Sequence, residues 1–246
     1  MSSSPKIAQP ADSDIARRFI FEDADIRGQR TVLADTYLEI LEIHQYAPGV
    51  SRILGEFLAA SVLLSTTLKF QGKFILQARS EGQIPLLMAE CNDNLEVRGI
   101  ARGAAEATSL DNEQLLANGQ LVITIEPDDG QRYQGIVPLE NGSLARSLDA
   151  YFKKSEQLGT RMWLAADNSK ASGFLLQQLP PQVTTDATTR SAQWEHACSL
   201  AGTLGEEEVL NLNTETLLHR IFHQESVRLY ESQTCLLYTS PSPRDL

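Results

Sequence analysis

The order of strands and helices is clearest in residues 133–181, which read YQGIVPLENGSLARSLDAYFKKSEQLGTRMWLAADNSKASGFLLQQLPP. Asn141 and Gly142 form a turn signal, and Ser143 is a favourable N-cap residue for a helix that starts after it. The large apolar side chains of that helix recur at helical spacing: Leu144, Leu148, Tyr151 and Phe152. The segment therefore predicts a strand, a turn, a helix with one exposed face, and a hairpin of two further strands.

The N-terminal part predicts a short strand at residues 17–21 and two helices, at residues 31–45 and 50–68. The second helix is apolar on all sides, which is typical of a helix buried inside a protein. Four small side chains let other elements approach it closely: Ala59, Ala60, Ser61 and Ser65. We expect this helix to be the centre of the fold.

Strands are predicted between this helix and residue 139, because short β-prone runs alternate with turn residues. They cover residues 73–79, 86–90, 95–102, 121–126 and 132–139. The fold class is therefore α/β (α+β). It has a mixed or antiparallel sheet core, two N-terminal helices and a crossover helix, and a helical linker segment follows it.

A linker is predicted after Pro180-Pro181, where the composition shifts to Thr and Asp. Helical patterns follow at residues 191–201, 206–210 and 214–223, and a short strand follows at residues 227–230. Four apolar side chains of the last helix need a partner outside the segment, so we expect them to pack on the core: Leu217, Leu218, Ile221 and Phe222. The expected domains are a core at residues 14–181 and a linker segment packed on it at residues 182–231.

Residues 232–246 are expected to be a disordered tail of non-native origin. Residues 235–246 read CLLYTSPSPRDL, and Pro241 and Pro243 forbid regular structure. This string is similar to a translated sequencing adapter, so we expect the natural reading frame to depart near Gln233.

The bulk properties exclude several functions. A net charge of −11 argues against a nucleic-acid-binding protein, which needs a basic surface. The longest uncharged run in the apolar helix covers residues 57–68, shorter than the roughly 20 residues that span a bilayer. The N-terminus lacks the apolar region of a secretion signal, and three cysteines suit a reducing compartment. We expect a cytoplasmic protein that binds neither nucleic acid nor membrane.

Catalytic motifs are missing from the sequence, which has no nucleophile elbow, P-loop or dinucleotide fingerprint. Arg98 and Arg102 would share a strand face and could bind an anion, although surface ion pairing is the favoured interpretation. His219 and His223 have the spacing of a metal pair but no evident third ligand. The following features are interpreted as structural: Asp128-Asp129-Gly130 as a hairpin turn, Glu206-Glu207-Glu208 as a helix start, Cys91 and Cys198 as buried thiols, and Trp163 and Trp194 as packing residues. No catalytic, cofactor-binding or metal-binding residue is predicted.

Six blocks resemble one protein family in sequence and order. They are FLAASVLLSTTLKFQG at residues 57–72, RGIAR at 98–102, LVITIEP at 121–127, YQGIVPLE at 133–140, YFKKSEQL at 151–158 and FLLQQLP at 174–180. Together they resemble the bacterial redox-regulated heat-shock chaperones of the 33 kDa chaperonin family, over about residues 19–230.

This resemblance implies a cytoplasmic, ATP-independent holdase that binds unfolding client proteins during oxidative or heat stress. It also implies an α/β core, a metastable helical linker and a C-terminal zinc domain, with a homodimer as one form of the active protein. In the family, cysteines in C-x-C and C-x-x-C pairs hold the zinc, and oxidation to two disulfides releases it and unfolds the linker.

Neither cysteine motif is present in this chain, so the resemblance gives Cys235 no zinc role and we expect no cofactor here. We expect a non-enzymatic chaperone core and linker without the zinc domain. Two alternatives remain open, a small-molecule enzyme that uses the Arg98 and Arg102 face, and an interaction module with one fixed partner.

Overall fold

The computed structural model describes residues 12–67, 71–156 and 158–238. One sheet contains β1 Ile15–Phe21, β2 Ile26–Leu33, β8 Thr160–Ala166, β9 Ala171–Gln178 and β10 Val227–Thr234. A second sheet contains β3 Gly72–Arg79, β4 Leu86–Asn92, β5 Glu96–Arg102, β6 Gln120–Pro127, β7 Tyr133–Pro138 and β11 Leu236–Leu237. The helices are α1 Asp35–Ile43, α2 Pro48–Ser65, α3 Asn112–Leu115, α4 Leu144–Tyr151, α5 Ala187–Ala201, α6 Glu206–Asn211 and α7 Thr214–Phe222.

Both sheets are built mainly from antiparallel neighbours. The first sheet has the strand order β10-β1-β2-β9-β8, and the second has the order β11-β5-β4-β3-β6-β7. The short strand β11 runs parallel to β5, so the second sheet is mixed. The predicted α+β class with a mixed or antiparallel core is therefore confirmed, with two sheets forming that core.

Helix α2 lies between the two sheets and contacts strands of both. Nearly all its side chains are buried, and Leu54, Phe57, Leu58 and Leu63 are completely inaccessible to solvent. Burying one such side chain contributes roughly 1.5–3 kcal/mol, so this helix is a main source of stability. By length and composition α2 is apolar enough to cross a membrane, but 83% of it is buried inside the protein, as in core helices.

The predicted helix at residues 31–45 is wrong in its first part, because Thr31, Val32 and Leu33 belong to β2 and pair with β9. Helix α1 begins only at Asp35, where the Asp14 carboxylate accepts hydrogen bonds from the amides of residues 34–36 at 3.0–3.2 Å. A carboxylate at this position satisfies helix amides that have no partner inside the helix. The cap lies far away in the sequence, so the local pattern does not reveal it.

Part of the expected disordered tail is ordered in the structure. Residues 232–234 continue β10, which stays paired with β1 as far as Ile15. The Cys235 amide then donates to the Asp14 carbonyl at 2.7 Å, and Leu236 and Leu237 pair with β5. For residues 232–238 the structure thus differs from the prediction, because the edge of each sheet supplies backbone partners. Residues 239–246 lie outside the described residues.

Gly55 gives a test of the tight packing around α2. A Cβ atom there would lie 2.6 Å from Ala166 Cβ and 3.0 Å from Ala171 Cβ. Alanine is the better helix former by about 1 kcal/mol, so helix propensity alone predicts that Gly55→Ala stabilises the protein. We expect the opposite, a lower melting temperature in calorimetry, because this clash with the sheet outweighs propensity.

Gly205→Ala is the matched control, because a Cβ atom at Gly205 would meet no atom closer than 3.9 Å. Its melting temperature should stay close to that of the original chain. A stabilised Gly55→Ala variant would contradict the close contact between α2 and the first sheet.

Candidate functional site

The outer face of the first sheet, opposite α2, is apolar and rich in aromatic rings. Alternate side chains of three neighbouring strands point to it, because successive strand residues face opposite sides. We call the following buried side chains the aromatic face: Phe19, Phe21, Ile26, Phe174 and Leu176. The face is a continuous apolar surface that would be unfavourable in water.

The rings of Phe19 and Phe174 stack across the sheet with their centroids 5.4 Å apart. Phe19 can lie flat because its neighbour in β2 is Gly28. A Cβ atom on Gly28 would lie 1.9 Å from Phe19 Cζ, inside the ring's own volume. Glycine at this position thus shapes a smooth surface on which another element can dock.

Helices α5, α6 and α7, which we call the helical cover, lie over this face. The side chains predicted to pack on the core are all buried here: Leu217, Leu218, Ile221 and Phe222. The Phe222 ring makes an edge-to-face contact with Phe21 at 4.8 Å, and lies 6.3 Å from Phe19. Helix α7 therefore supplies much of the apolar contact to the aromatic face.

Helix α5 contributes less apolar contact to the aromatic face than α7 does. Among its 15 residues, only Ala197 and Ala201 are buried. Its Trp194 is partly buried and packs over Gly159, where a Cβ atom would lie 2.9 Å from the indole. Trp163 belongs to the sheet and lies 5.8 Å from Phe174. A helix that buries so few side chains opens at a low free-energy cost.

Asp25 anchors the start of the cover. This buried carboxylate, 5% exposed, accepts hydrogen bonds from the amides of residues 182–184 at 2.9–3.3 Å. Arg190 of α5 lies 3.4 Å from it. Burial acts to raise the pKa of Asp25, but the three amides and the Arg190 charge outweigh burial and lower the pKa. Asp25 therefore stays ionised and holds the chain between the core and α5.

Arg30, which belongs to β2 of the first sheet, anchors the middle of the cover. Its side chain is completely buried and donates to the Ser172 hydroxyl at 2.5 Å and to the Leu212 carbonyl, just after α6, at 3.0 Å. Burial lowers the pKa of Arg30 to about 10, and the nearby Asp12 charge opposes that change. Asp12 itself accepts from the Thr214 amide at 2.7 Å, where α7 begins. The segment after α6 is thus held by Arg30, and the start of α7 is held by Asp12.

The exposed ion pairs that involve the helical cover add little to its stability. Arg17 pairs with Glu215 at 3.3 Å, and His196 lies 3.1 Å from Glu225. Exposed pairs of this kind contribute about 0–1 kcal/mol each. The cover is therefore held by the apolar contact of α7 and by a few buried polar groups.

The other candidate site residues from the sequence lie away from the aromatic face. Arg98 pairs with Glu90 at 2.9 Å in the second sheet, and Arg102 is exposed. His219 on α7 and His223 just after it are exposed, and their ring centroids lie 5.9 Å apart. Across residues 12–67, 71–156 and 158–238, no group of three or more His, Cys, Asp or Glu side chains could hold a metal ion. None of these residues joins the aromatic face.

The sequence did not identify the polar anchors Asp12, Asp25 and Arg30, of which Asp25 and Arg30 are buried. Each looks like an ordinary charged surface residue, and its partner is far away in the chain. The apolar spacing of α7 was the only local signal for this site.

Asp25→Ala tests the anchor at the start of the cover. The substitution leaves three amides and Arg190 without their carboxylate, and each lost charge-assisted hydrogen bond costs about 1.5–3 kcal/mol. We expect limited proteolysis between the core and α5 to become at least about tenfold faster, because the cover opens more often. Asp23→Ala is the control, because Asp23 is exposed and its hydrogen bond to the cover is made by its backbone carbonyl, which the substitution keeps. Equal cleavage rates in the two variants would contradict an anchoring role.

Comparison with known proteins identifies the family. Residues 14–242 match the family model described as Hsp33 protein. The chain is 49% identical to the 33 kDa chaperonin of Pseudomonas paraeruginosa over 232 residues, which is 94% of this chain and 78% of the relative. It is 52% identical to the 33 kDa chaperonin of Azotobacter vinelandii over 223 residues, which is 90% of this chain and 75% of the relative.

The fold is similar to the crystal structure of the 33 kDa chaperonin from Thermotoga maritima. The TM-score is 0.79 at 19% sequence identity, and the match covers 94% of this chain and 82% of that chain. The structural match supports the fold, and the family model and the close relatives together show that the chain belongs to the Hsp33 family of 33 kDa chaperonins.

Proposed function

We propose that this chain is an ATP-independent holdase that binds unfolding proteins under oxidative or heat stress in the cytoplasm. Membership of the chaperonin family supports the chaperone activity. The observation that carries the proposal is the aromatic face beneath a weakly held cover. Unfolding proteins expose apolar side chains, and a large apolar surface binds such segments without a specific sequence.

The client-binding surface in this proposal is the aromatic face after the helical cover has moved away. In the closed form Phe222 occupies the position that a client side chain would take, with rings of the face 4.8–6.5 Å away. The cover therefore competes with clients for one surface. The fraction of open molecules sets the apparent affinity, because only open molecules bind.

The chain's own cysteines do not fit the family's zinc site. The sequence lacks C-x-C and C-x-x-C, and the described residues contain no cluster suited to a metal. Burial raises the pKa of Cys91, and also that of Cys198 to about 11, so neither thiol forms a thiolate readily. The described residues therefore offer no zinc-dependent way to open the cover, and we propose that the cover opens by thermal fluctuation.

A non-enzymatic function is part of the proposal. The enzyme alternative relied on Arg98 and Arg102 as an anion site, but Glu90 already neutralises Arg98 at 2.9 Å and also lies 3.6 Å from Lys73. The net charge of −11 fits protein clients better than nucleic acid. A homodimer in the active form, and domains at residues 14–181 and 182–231, remain parts of the proposal.

Phe222→Ala tests whether the cover hides the binding surface. Removing a buried Phe ring costs about 3–5 kcal/mol, and here that cost weakens the contact between cover and sheet. We expect stronger suppression of client aggregation, measured by light scattering, and stronger binding of a fluorescent apolar dye.

Phe74→Ala is the matched control, because Phe74 and Phe222 are each 2% exposed but Phe74 lies in the second sheet. It should lower global stability without increasing holdase activity below its melting temperature. Equal activation by both substitutions would mean that general unfolding, and not opening of the cover, exposes the binding surface.

Peroxide tests the inferred absence of a redox step. Without the paired cysteines, we expect the chain to suppress aggregation of a heat-unfolding client equally before and after peroxide treatment. Light scattering with a thermally unfolded client measures this directly. Suppression only after peroxide would show a working switch, and no suppression in either state would contradict the holdase proposal.

A further inference from the structure

A cavity of about 640 Å³ lies between β10 and the strands β1 and β2. Its charged and polar lining includes Arg18, Arg27 and Gln29, and residues 230–233 of β10 form another wall. Arg18 also reaches the end of α2, where it donates to the Thr66 carbonyl at 2.5 Å. By strand alternation Arg18, Arg27 and Gln29 lie on the sheet face opposite the aromatic face, and Phe19 and Gly28 also line the cavity.

Arg18, Arg27 and Gln29 converge because of the strand register. Arg18 in β1 lies directly opposite Gln29 in β2, and such neighbours have Cβ atoms about 4.5–5.5 Å apart. Arg27 precedes Gln29 by two positions, so both side chains lie on the same face of β2. Three hydrogen-bond donor groups are therefore brought to one wall.

The two arginines have no acidic partner of their own among the described residues. Arg27 donates through Nε and Nη2 to the Gln177 amide oxygen at 3.0 and 2.5 Å, and Arg18 donates to a carbonyl. The Gln177 amide oxygen and the Thr66 carbonyl are neutral acceptors, so the positive charges of Arg18 and Arg27 remain side by side. Burial and the Arg18 charge together lower the pKa of Arg27.

Gln29 adds a buried donor without a partner. It is 1% exposed, its side-chain oxygen accepts from the Thr66 hydroxyl, and its Nε2 has no hydrogen-bond partner. An unsatisfied buried donor costs about 1–3 kcal/mol, and native proteins usually avoid it. The positive charges of Arg18 and Arg27, which have no acidic partner among the described residues, favour an anionic acceptor in the cavity.

We propose that this cavity binds a phosphate group, either as inorganic phosphate or as the phosphate of a small monoester. Guanidinium groups match phosphate oxygens in geometry, and a dianion balances two positive charges. The volume lies in the range of small-molecule sites, about 300–1,000 Å³, and exceeds the size of phosphate alone. Ile20 and Tyr230 offer apolar contacts for the organic part of a monoester.

The Glu231 carboxylate acts against phosphate binding in the cavity. It lines the same cavity and forms no ion pair with Arg18 or Arg27 in the described structure. Its negative charge opposes a bound phosphate, so removing that charge should tighten binding.

Phosphate binding would also hold the cover closed, a consequence that rests on the proposed function. The wall of residues 230–233 belongs to β10, which follows α7 closely in the chain. This strand is already paired with β1, and a ligand that also joins residues 230–233 to Arg18 and Arg27 would strengthen that attachment just after the cover.

Isothermal titration calorimetry tests the site, with inorganic phosphate and phenyl phosphate as separate probes and sodium acetate as the reference anion. The ionic strength is held constant, because salt screens exposed charges. We expect both phosphates to bind more tightly than acetate. Arg18→Met and Arg27→Met should each weaken binding at least about tenfold, since each removes charge-assisted hydrogen bonds. Glu231→Gln should strengthen binding.

Arg132→Met is the charge-matched control, because Arg132 is exposed near β7 and does not line the cavity. It should bind phosphate like the original chain. Circular dichroism checks that each variant is folded, and the exposed Arg18 gives a second variant if Arg27→Met is unstable.

Phosphate binding no tighter than acetate, or equal weakening by Arg132→Met, would overturn the proposal. Tighter binding of phenyl phosphate than of inorganic phosphate would identify a monoester as the ligand, and equal affinity would identify the free anion. If phosphate binds but the chain does not suppress aggregation, the site stands and the holdase proposal alone fails.

Discussion

A sheet with large apolar areas on both faces needs a cover on both sides, and the two covers of the first sheet of this protein are unequal. On its inner face, α2 is buried along almost its whole length and also supports the second sheet. On its outer face, α5 buries only Ala197 and Ala201, and α7 makes most of the aromatic contact. The same sheet therefore combines a permanent contact with one that can be released.

Three charged groups, of which Asp25 and Arg30 are buried, decide where the removable cover docks. Asp25, Arg30 and Asp12 each satisfy backbone groups at the start or end of a cover segment. Charged groups in such places fix one arrangement more than they add stability, because their desolvation offsets much of the attraction. Few contacts of this kind separate the closed and open forms, so a chaperone can expose its surface while α2 and both sheets stay folded.

The sequence predicted the parts of this arrangement that depend on local periodicity. The buried α2, the hairpins and the apolar stripe of Leu217, Leu218, Ile221 and Phe222 follow from spacing alone. The end of β2 was predicted as helix, because its true partners and the Asp14 cap lie elsewhere in the chain. The anchors Asp25 and Arg30, and the Arg18 and Arg27 pair, arise from strand register and docking. No local pattern marks them.

Native-state hydrogen exchange tests the central claim that the cover opens while the core remains folded. The account predicts that amides of α5 and α7 exchange through a local opening, with protection at least about 100-fold lower than that of α2 amides. Client protein added in excess should lower the protection of the cover further and leave α2 unchanged. Equal protection of α7 and α2 would contradict the account, because the aromatic face would then become accessible only when the whole protein unfolds.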